Sequence, residues 1–371
     1  MSVTATVRVM SAEEIAAQGG GQPPFLNWPE RTTTFAERGM RLTQRAAGGH
    51  PMADYLQFIA SVANEQQQEL AAFPPVPLPD PAALDAAALA GTSPLSVEQW
   101  PRDAAWRTGL VMLATNLRDR VPATVRPAIE RVLAMPADDL ERQAGRLLTG
   151  VMQGVDMATA PLIAAALQVY WTHLLLAVRA AQTGEAEPFG RIADERLCPC
   201  CGSRPTVSII RNAGQIQGQR YLHCSLCGLE WHQTRIRCTH CLSGKSIAFQ
   251  ALDAAGADDA GTDEAADATA TPGPGFKTIS SPEAANRAAR AAIQAETCDE
   301  CGHYLKLLHA DRDPLVEPIA DDLASLPLDL LVSEAGMIRH GVNLMLLIGA
   351  ADDDHEAPPG ERPRPPDPGG H

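Results

Sequence analysis

Aromatic residues are scarce, Phe, Trp and Tyr together making up 4% of the 371 residues, while hydrophobic residues make up 45%. A core therefore has to be assembled mainly from Leu, Ala, Val and Ile, and the length suggests two or three domains. The opening MSVTATVRVMSAEEIAAQGGG lacks a cationic n-region followed by an apolar h-region, and it lacks a twin arginine. The chain is therefore expected in the cytoplasm with its thiols reduced, which argues against structural disulfides. A Gly-rich phosphate loop, a nucleophile elbow and a His/carboxylate cluster with an open metal position are also missing, so the expectation is not an enzyme. The formal net charge of −15 argues against a general nucleic-acid binder.

Long apolar runs are missing with one exception. The stretch from Ala158 to Ala181 has the length of about 20 residues that a bilayer core requires. It carries Gln168, His173 and Arg179, however, and much of its apolar content is alanine. It reads as a buried central helix, with His173 a satisfied core or crevice histidine.

What the chain does have is cysteine in one place. All nine cysteines fall between Cys198 and Cys301, and eight form four Cys-x-x-Cys pairs: Cys198/Cys201, Cys224/Cys227, Cys238/Cys241 and Cys298/Cys301. Two such pairs complete a closed tetrahedral S₄ shell that suits zinc or iron, so two structural metal ions per chain, iron or zinc, are expected. Between Cys201 and Cys224 lie 22 residues, room for a hairpin as in a zinc ribbon or rubredoxin. Between Cys241 and Cys298 lie 56, but residues 251–275 are an Ala/Asp/Gly/Thr/Pro tract with nothing to bury, whose removal brings the second gap close to the first. Spacing favours Cys198, Cys201, Cys224 and Cys227 as one site and Cys238, Cys241, Cys298 and Cys301 as the other. A cross-braced arrangement of alternate pairs is the rival.

Gly202, Gly228 and Gly302 follow the second cysteine of their pairs, where a tight knuckle needs positive φ; the remaining pair has Leu242 there. Cys200, inside the first knuckle, either replaces Cys201 or stays free, and spacing favours Cys201. His223, His232, His240 and His303 adjoin the cysteines and read as surface groups or as outer support for the ligands. No βαβ setting surrounds any pair, which excludes a thioredoxin-like dithiol.

The segments CPCCGSRP, YLHCSLCGLEWH, RIRCTHC and ETCDECGHYLKLL, followed by DPLVEPIADDLASLPLDLL, resemble the FdhE-type formate dehydrogenase accessory proteins. HPMADYLQFIA upstream resembles the helical part of the same family. The acidic insert and the Pro-rich tail depart from its pattern. The resemblance implies a cytoplasmic accessory protein that binds the catalytic subunit of an exported, molybdenum-dependent formate dehydrogenase and supports its maturation.

The expected architecture is α plus small metal-bound β: an N-terminal all-α domain, two rubredoxin-like or zinc-ribbon-like Cys₄ modules, and a C-terminal helix. Residues 1–33 read as extended or mobile and 34–184 as helical. The first ribbon and the first knuckle of the second occupy 185–250, the disordered insert 251–275, the rest of the second ribbon 276–318, a helical segment 319–349 and a disordered tail 350–371. Helices are expected from Met52 onward, after a linker PPVPLPDPAA, and over about Trp100–Leu117, Val121–Ala134 and Asp138–Met152. Asp321 and Asp322 read as first-turn acids that favour the helix dipole.

The competing class is a zinc-ribbon nucleic-acid module. Residues 191–250 carry eight Arg/Lys against three acids, although each metal centre with four thiolates would absorb two of those charges. Bound iron would instead suggest a rubredoxin-like electron carrier. Arg211, Arg220, Tyr221, Trp231 and Arg235 are the candidate partner contacts, with a ribbon-core role the alternative for Trp231. Loss of a metal is expected to unfold the ribbons while the helical body up to about Thr183 stays folded.

Overall fold

The computed structural model describes residues 23–182, 188–213, 216–251 and 291–347. The first 22 residues, nearly all of the acidic insert and the tail lie outside the described residues. Among the described residues, seven helices precede most of the strands: α1 Thr34–Ala46, α2 Ala53–Ala72, α3 Pro81–Ala90, α4 Ala105–Arg118, α5 Arg126–Ala134, α6 Ala137–Thr149 and α7 Ala160–Ala181. On α2, Leu56, Ile59, Val62 and Leu70 are buried, the three-and-four spacing of one core-facing stripe. Helix α3 starts within the Pro-rich linker because Asp80 caps it, accepting from Ala83 N at 2.7 Å, while Pro81 occupies a first-turn position whose N–H would be orphaned anyway. Pro122 lies ahead of α5 rather than inside it, and Pro127 takes the first turn instead.

Helix α7 is the centre of the body. It is the one described helix long and apolar enough to cross a membrane, and 83% of its apolar window is buried inside the protein. Its polar residues are satisfied there: Gln168 accepts from Arg38 at 3.2 Å, and His173 meets Arg31 at 3.5 Å with its ring on Phe73. Burial, reinforced by Arg31, pulls His173 down to about 4, so it is a neutral core histidine.

The second half is a sheet. Its strands are β1 Leu26–Asn27, β2 Pro205–Ala213, β3 Ile216–Cys224, β4 Glu230–His232, β5 Ile247–Gln250, β6 Ile293–Cys298, β7 His303–His309 and β8 Ile338–Arg339. The order is β1-β4-β3-β2-β7-β6-β5, with β8 also on β7. Two antiparallel ribbons, β2–β3–β4 and β5–β6–β7, are thus fused through one parallel pairing of Ser208–Ile210 with Leu307–His309. Part of the stretch expected to be mobile is also ordered: Leu26 and Asn27 pair with Trp231 and Glu230, and the Tyr221 hydroxyl donates to Pro24 O at 2.9 Å.

The C-terminal segment is two helices rather than one, α8 Pro318–Ala324 and α9 Leu326–Glu334, interrupted at Ser325 just before Pro327. Glu317 caps α8 by accepting from Ala320 N, and Asp321 accepts from Glu317 N at 2.8 Å in return. Asp321 and Asp322 are first-turn acids only in part, because both are fully buried and paired. Asp321 accepts from Arg41 at 2.9 Å and from Arg45 at 2.6 Å, both on α1. Asp322 faces the sheet, with Lys306 Nζ at 3.2 Å and Arg339 at 2.7 Å, and Arg339 also reaches Asp329 at 2.7 Å.

Burial works against charge on Asp322, yet Arg339 and Lys306 outweigh it and hold its carboxyl below the usual range. Asp322→Asn leaves two buried cations undercompensated, and urea unfolding is expected to show a loss of about 3–5 kcal/mol. Glu69 is the opposite case: its oxygens have no hydrogen-bond partner beneath Gly109, and burial pushes it up to about 8. A raised acid favours the fold below its ordinary value of 4.5, and that advantage is lost as pH rises toward 8. Unfolding measured at pH 5 and pH 8 is therefore expected to show a smaller loss of stability with rising pH in Glu69→Gln than in the parent chain.

Candidate metal centres

Three of the four cysteine pairs close their knuckles with the same backbone bond. The backbone N–H after the second cysteine donates to the carbonyl of the first: Gly202 to Cys198 at 2.9 Å, Leu242 to Cys238 at 3.0 Å and Gly302 to Cys298 at 2.9 Å. That closure needs left-handed backbone, and Gly202, Gly228 and Gly302 have φ of 74°, 72° and 69°. Leu242 adopts φ 62° without the freedom of glycine, so the Cys238/Cys241 knuckle holds backbone strain the others lack.

Pairing is sequential, not cross-braced. The sulfurs of Cys198, Cys201, Cys224 and Cys227 form one group and those of Cys238, Cys241, Cys298 and Cys301 the other. In the first, Cys198–Cys227, Cys201–Cys224 and Cys201–Cys227 are separated by 3.6, 3.4 and 3.8 Å. In the second, Cys238–Cys301 and Cys241–Cys298 are separated by 3.6 and 3.7 Å. Four sulfurs at about 2.3 Å from a tetrahedral zinc are about 3.8 Å apart, so both groups fit one ion each and neither is near disulfide distance. Leu226 and Cys227 N–H groups donate to Cys224 Sγ, both at 3.4 Å, the support a thiolate ligand needs. Cys200 stays outside both groups, and burial pushes its thiol up to about 11, which keeps it protonated and inert.

The two centres have different surroundings. All four cysteines of the first are buried, and they belong to the same apolar core as α7 and the 93–97 segment. Leu95 and Val97 N–H groups donate to the carbonyls of Cys200 and Cys201, each at 3.0 Å, and Gln168 and Thr172 of α7 donate to Ser225 O and Cys227 O. In the second centre Cys241 is exposed and Cys301 half-buried. The expectation that the helical body survives loss of either metal is therefore revised: the first centre is part of the wall on which α7 packs.

Most of the candidate contact residues turn out to be internal. Arg220 is 1% exposed and clamps the two ribbons together, reaching Glu296 at 2.9 Å, Ser208 at 2.8 Å, Thr239 at 3.0 Å and Arg237 O at 2.7 Å. Tyr221 is buried, and Trp231 is a core residue whose indole donates to Glu195 O at 3.1 Å. Arg211 forms a two-pronged pair with Glu230 at 2.6 Å, and Arg235 alone of the five is exposed. Arg211 and Arg220 lie on neighbouring strands, and each turns to a buried carboxylate instead of to solvent.

Of the histidines, His223 meets Glu230 and His232 meets Gln219. His240 and His303 stack face to face at 3.6 Å beside Cys301, and His340 packs edge-on to His240. Nothing in the sequence around His340 marked it, because it lies in no cysteine motif and reaches the site only through β8.

A helical body carrying a fused double ribbon with two four-cysteine sets defines the class: an α-helical protein with paired Cys₄ ribbons. The match to known proteins narrows this further. Residues 23–187 match the family described as FdhE, N-terminal; 197–235 match FdhE, central domain; and 270–346 match FdhE, C-terminal domain. The Protein FdhE homolog of Pseudomonas aeruginosa is 35% identical over 88% of this chain and 94% of its own length. Protein FdhE of Escherichia coli O9:H4 is 32% identical over 89% and 93%. The crystal structure of the FdhE protein from Pseudomonas aeruginosa superposes with a TM-score of 0.68 at 34% identity, covering 87% of this chain and 99% of that one. The chain belongs to the FdhE family.

Metal analysis of the reduced, purified chain is expected to give two ions, and Cys200→Ser to leave that number unchanged. Cys298→Ser is expected to lose one ion with protease sensitivity confined to the second ribbon. Cys224→Ser is expected to lose one ion and also to expose α7, since each such site supplies on the order of 10 kcal/mol to its surroundings; equal protection of α7 in the two variants would refute the difference.

Proposed function

We propose that this chain is a cytoplasmic accessory protein that binds the catalytic subunit of an exported, molybdenum-dependent formate dehydrogenase and supports its maturation without catalysing a reaction itself. Two structural ions, zinc or iron, held by the eight paired cysteines, lock the ribbons that carry the binding surface. The observation that carries this reading is the match to all three FdhE regions in order, with two sulfur sets that are each complete at four. A complete set has no open position at which a substrate could be activated. It does hold a loop-rich surface rigid, which is what a binding platform needs.

The nucleic-acid alternative loses much of its footprint in the fold. Of the eight basic residues between Arg191 and Gln250, Arg196, Arg211, Arg220 and Arg237 are paired with Asp194, Glu230, Glu296 and Glu195. With Arg220, Tyr221 and Trp231 internal, the exposed remainder of the expected contact face is Arg235 beside Ile236, the latter 59% exposed.

The test is co-purification of the full chain with the formate dehydrogenase catalytic subunit, alongside an absorbance spectrum that separates iron from zinc. A complex is expected, weakened at least tenfold by Arg235→Glu combined with Ile236→Asp while both ions are retained. Absence of any complex, with nucleic acid bound instead, would replace this reading by the nucleic-acid one. Undiminished binding by the double variant would move the interface off the ribbons.

A further inference from the structure

Oxidisable cysteine is offered to solvent at one place in the molecule. Of the nine cysteines Cys241 alone is exposed; Cys301 is half-buried and the other seven are buried. The loop that follows Cys241 is also where the backbone is strained. Among the described residues, the two non-glycine positions with left-handed φ are Leu242 at 62° and Ser246 at 52°, both between Cys241 and β5. Leu242 N–H donates to Cys238 O at 3.0 Å and Cys238 N–H donates to Ser243 O at 2.7 Å, which keeps the knuckle in that form. Cys298 Sγ lies 3.7 Å from Cys241 Sγ, across the ribbon, while Cys238 Sγ lies 3.6 Å from Cys301 Sγ. Cys298 ends β6 and is paired with Ile247 of β5 on one side and His303 of β7 on the other, so it stays in place if the knuckle moves.

We propose that Cys241 is a site of oxidation by hydroperoxides, that Cys298 resolves it to a reversible Cys241–Cys298 disulfide, and that this step releases the ion of the second set and unlocks its ribbon while the first set stays intact. The proposal rests on the reading that the second set holds a metal. Oxidation of a sulfur follows its thiolate character and its exposure, and it stays reversible where a second cysteine stands beside it. The Cys241 thiolate attacks one oxygen of hydrogen peroxide: an S–O bond forms, the O–O bond breaks, and the departing hydroxide takes a proton from solvent to become water. The Cys298 thiolate then attacks the Cys241 sulfur: an S–S bond forms, the S–O bond breaks, and a second hydroxide leaves and becomes water in the same way. The two thiolates lose two electrons, the peroxide gains them, and the divalent ion departs with its charge unchanged because two of its four ligands are gone. The sulfurs have to approach from 3.7 Å to about 2 Å. Relaxation of Leu242 and Ser246 toward ordinary backbone favours that movement once no ion holds the knuckle. The first set offers neither condition: its four cysteines are buried, and Gly202 and Gly228 take its left-handed positions without strain.

The test uses the full chain, reduced and loaded with zinc, with hydrogen peroxide as oxidant and a colorimetric chelator reading the zinc set free. Metal analysis beforehand is expected to give two ions. One ion is expected to leave at least tenfold faster than the other. Mass-spectrometric peptide mapping after that fast release is expected to show Cys241 joined to Cys298, with Cys198, Cys201, Cys224 and Cys227 still reduced. Dithiothreitol with added zinc is expected to restore two ions. Cys241→His supplies a fourth ligand without an oxidisable sulfur and is expected to slow the fast release at least tenfold. The disulfide map of the parent chain decides independently of how that variant folds. Release of both ions at one rate, or a disulfide that leaves Cys241 free, would overturn the proposal. A chain that carries a single ion before peroxide is added would instead overturn the reading of the second sulfur set, and the proposal with it.

Discussion

Two neighbouring carboxylates hold the halves of this molecule together. Asp321 and Asp322 are consecutive on α8, so about 100° of helix turns them to different neighbours. Asp321 receives Arg41 and Arg45 from the helical body, while Asp322 receives Lys306 from β7 and Arg339 from β8. The charges balance locally: Asp322 and Asp329 face Lys306 and Arg339, and Asp313, Glu317 and Asp321 face Arg38, Arg41 and Arg45. Desolvating so many ions returns little net stability compared with an apolar core. What it provides is orientation, since any other seating of α8 would strand a buried charge.

That seating determines how the two metal ribbons differ. With α8 fixed between α1 and the sheet, Ile319, Ala320 and Leu323 join the core formed by α7 and the first ribbon. The first sulfur set is consequently buried within that core. The second ribbon hangs from the first through three residues of parallel pairing and through Arg220, which bridges Ser208 on β2 to Thr239 and Glu296 of the second ribbon. Its own apolar cluster is small: Ala295, Tyr304, Leu328 and Val332. A module with so little to bury depends on its metal to a degree that the first does not.

Much of this was legible in the chain because cysteine spacing is a local signal. Four equal pairs with glycine after three of them define knuckles whatever the rest of the fold does, and the sulfurs assemble in the sequential order that the two gaps favour. The stripe of α2 and the apolar run of α7 were equally local. What escaped was set by long-range contact. The parallel joint between β2 and β7 links residues about a hundred positions apart and leaves no periodic trace. Arg220, Tyr221 and Trp231 have the composition of an interface, and only the second layer, supplied by β1, α7 and the other ribbon, shows that they are interior. Asp322 reads as a helix-start acid until Lys306 and Arg339 arrive from two strands.

Strain and openness coincide at one knuckle of the second centre. Three knuckles use glycine for their left-handed residue, whereas the fourth places Leu242 there, directly after the exposed Cys241 and two residues from His240. Neither the left-handed leucine nor the exposed sulfur has a counterpart at the first centre. Segments that must open are drawn from the less stable parts of a fold, and local rules are broken where function requires it. The first centre obeys every rule of a closed structural site. The second departs from it in the left-handed Leu242 and in the exposed Cys241 directly before it, so its sulfurs meet solvent where those of the first meet only core.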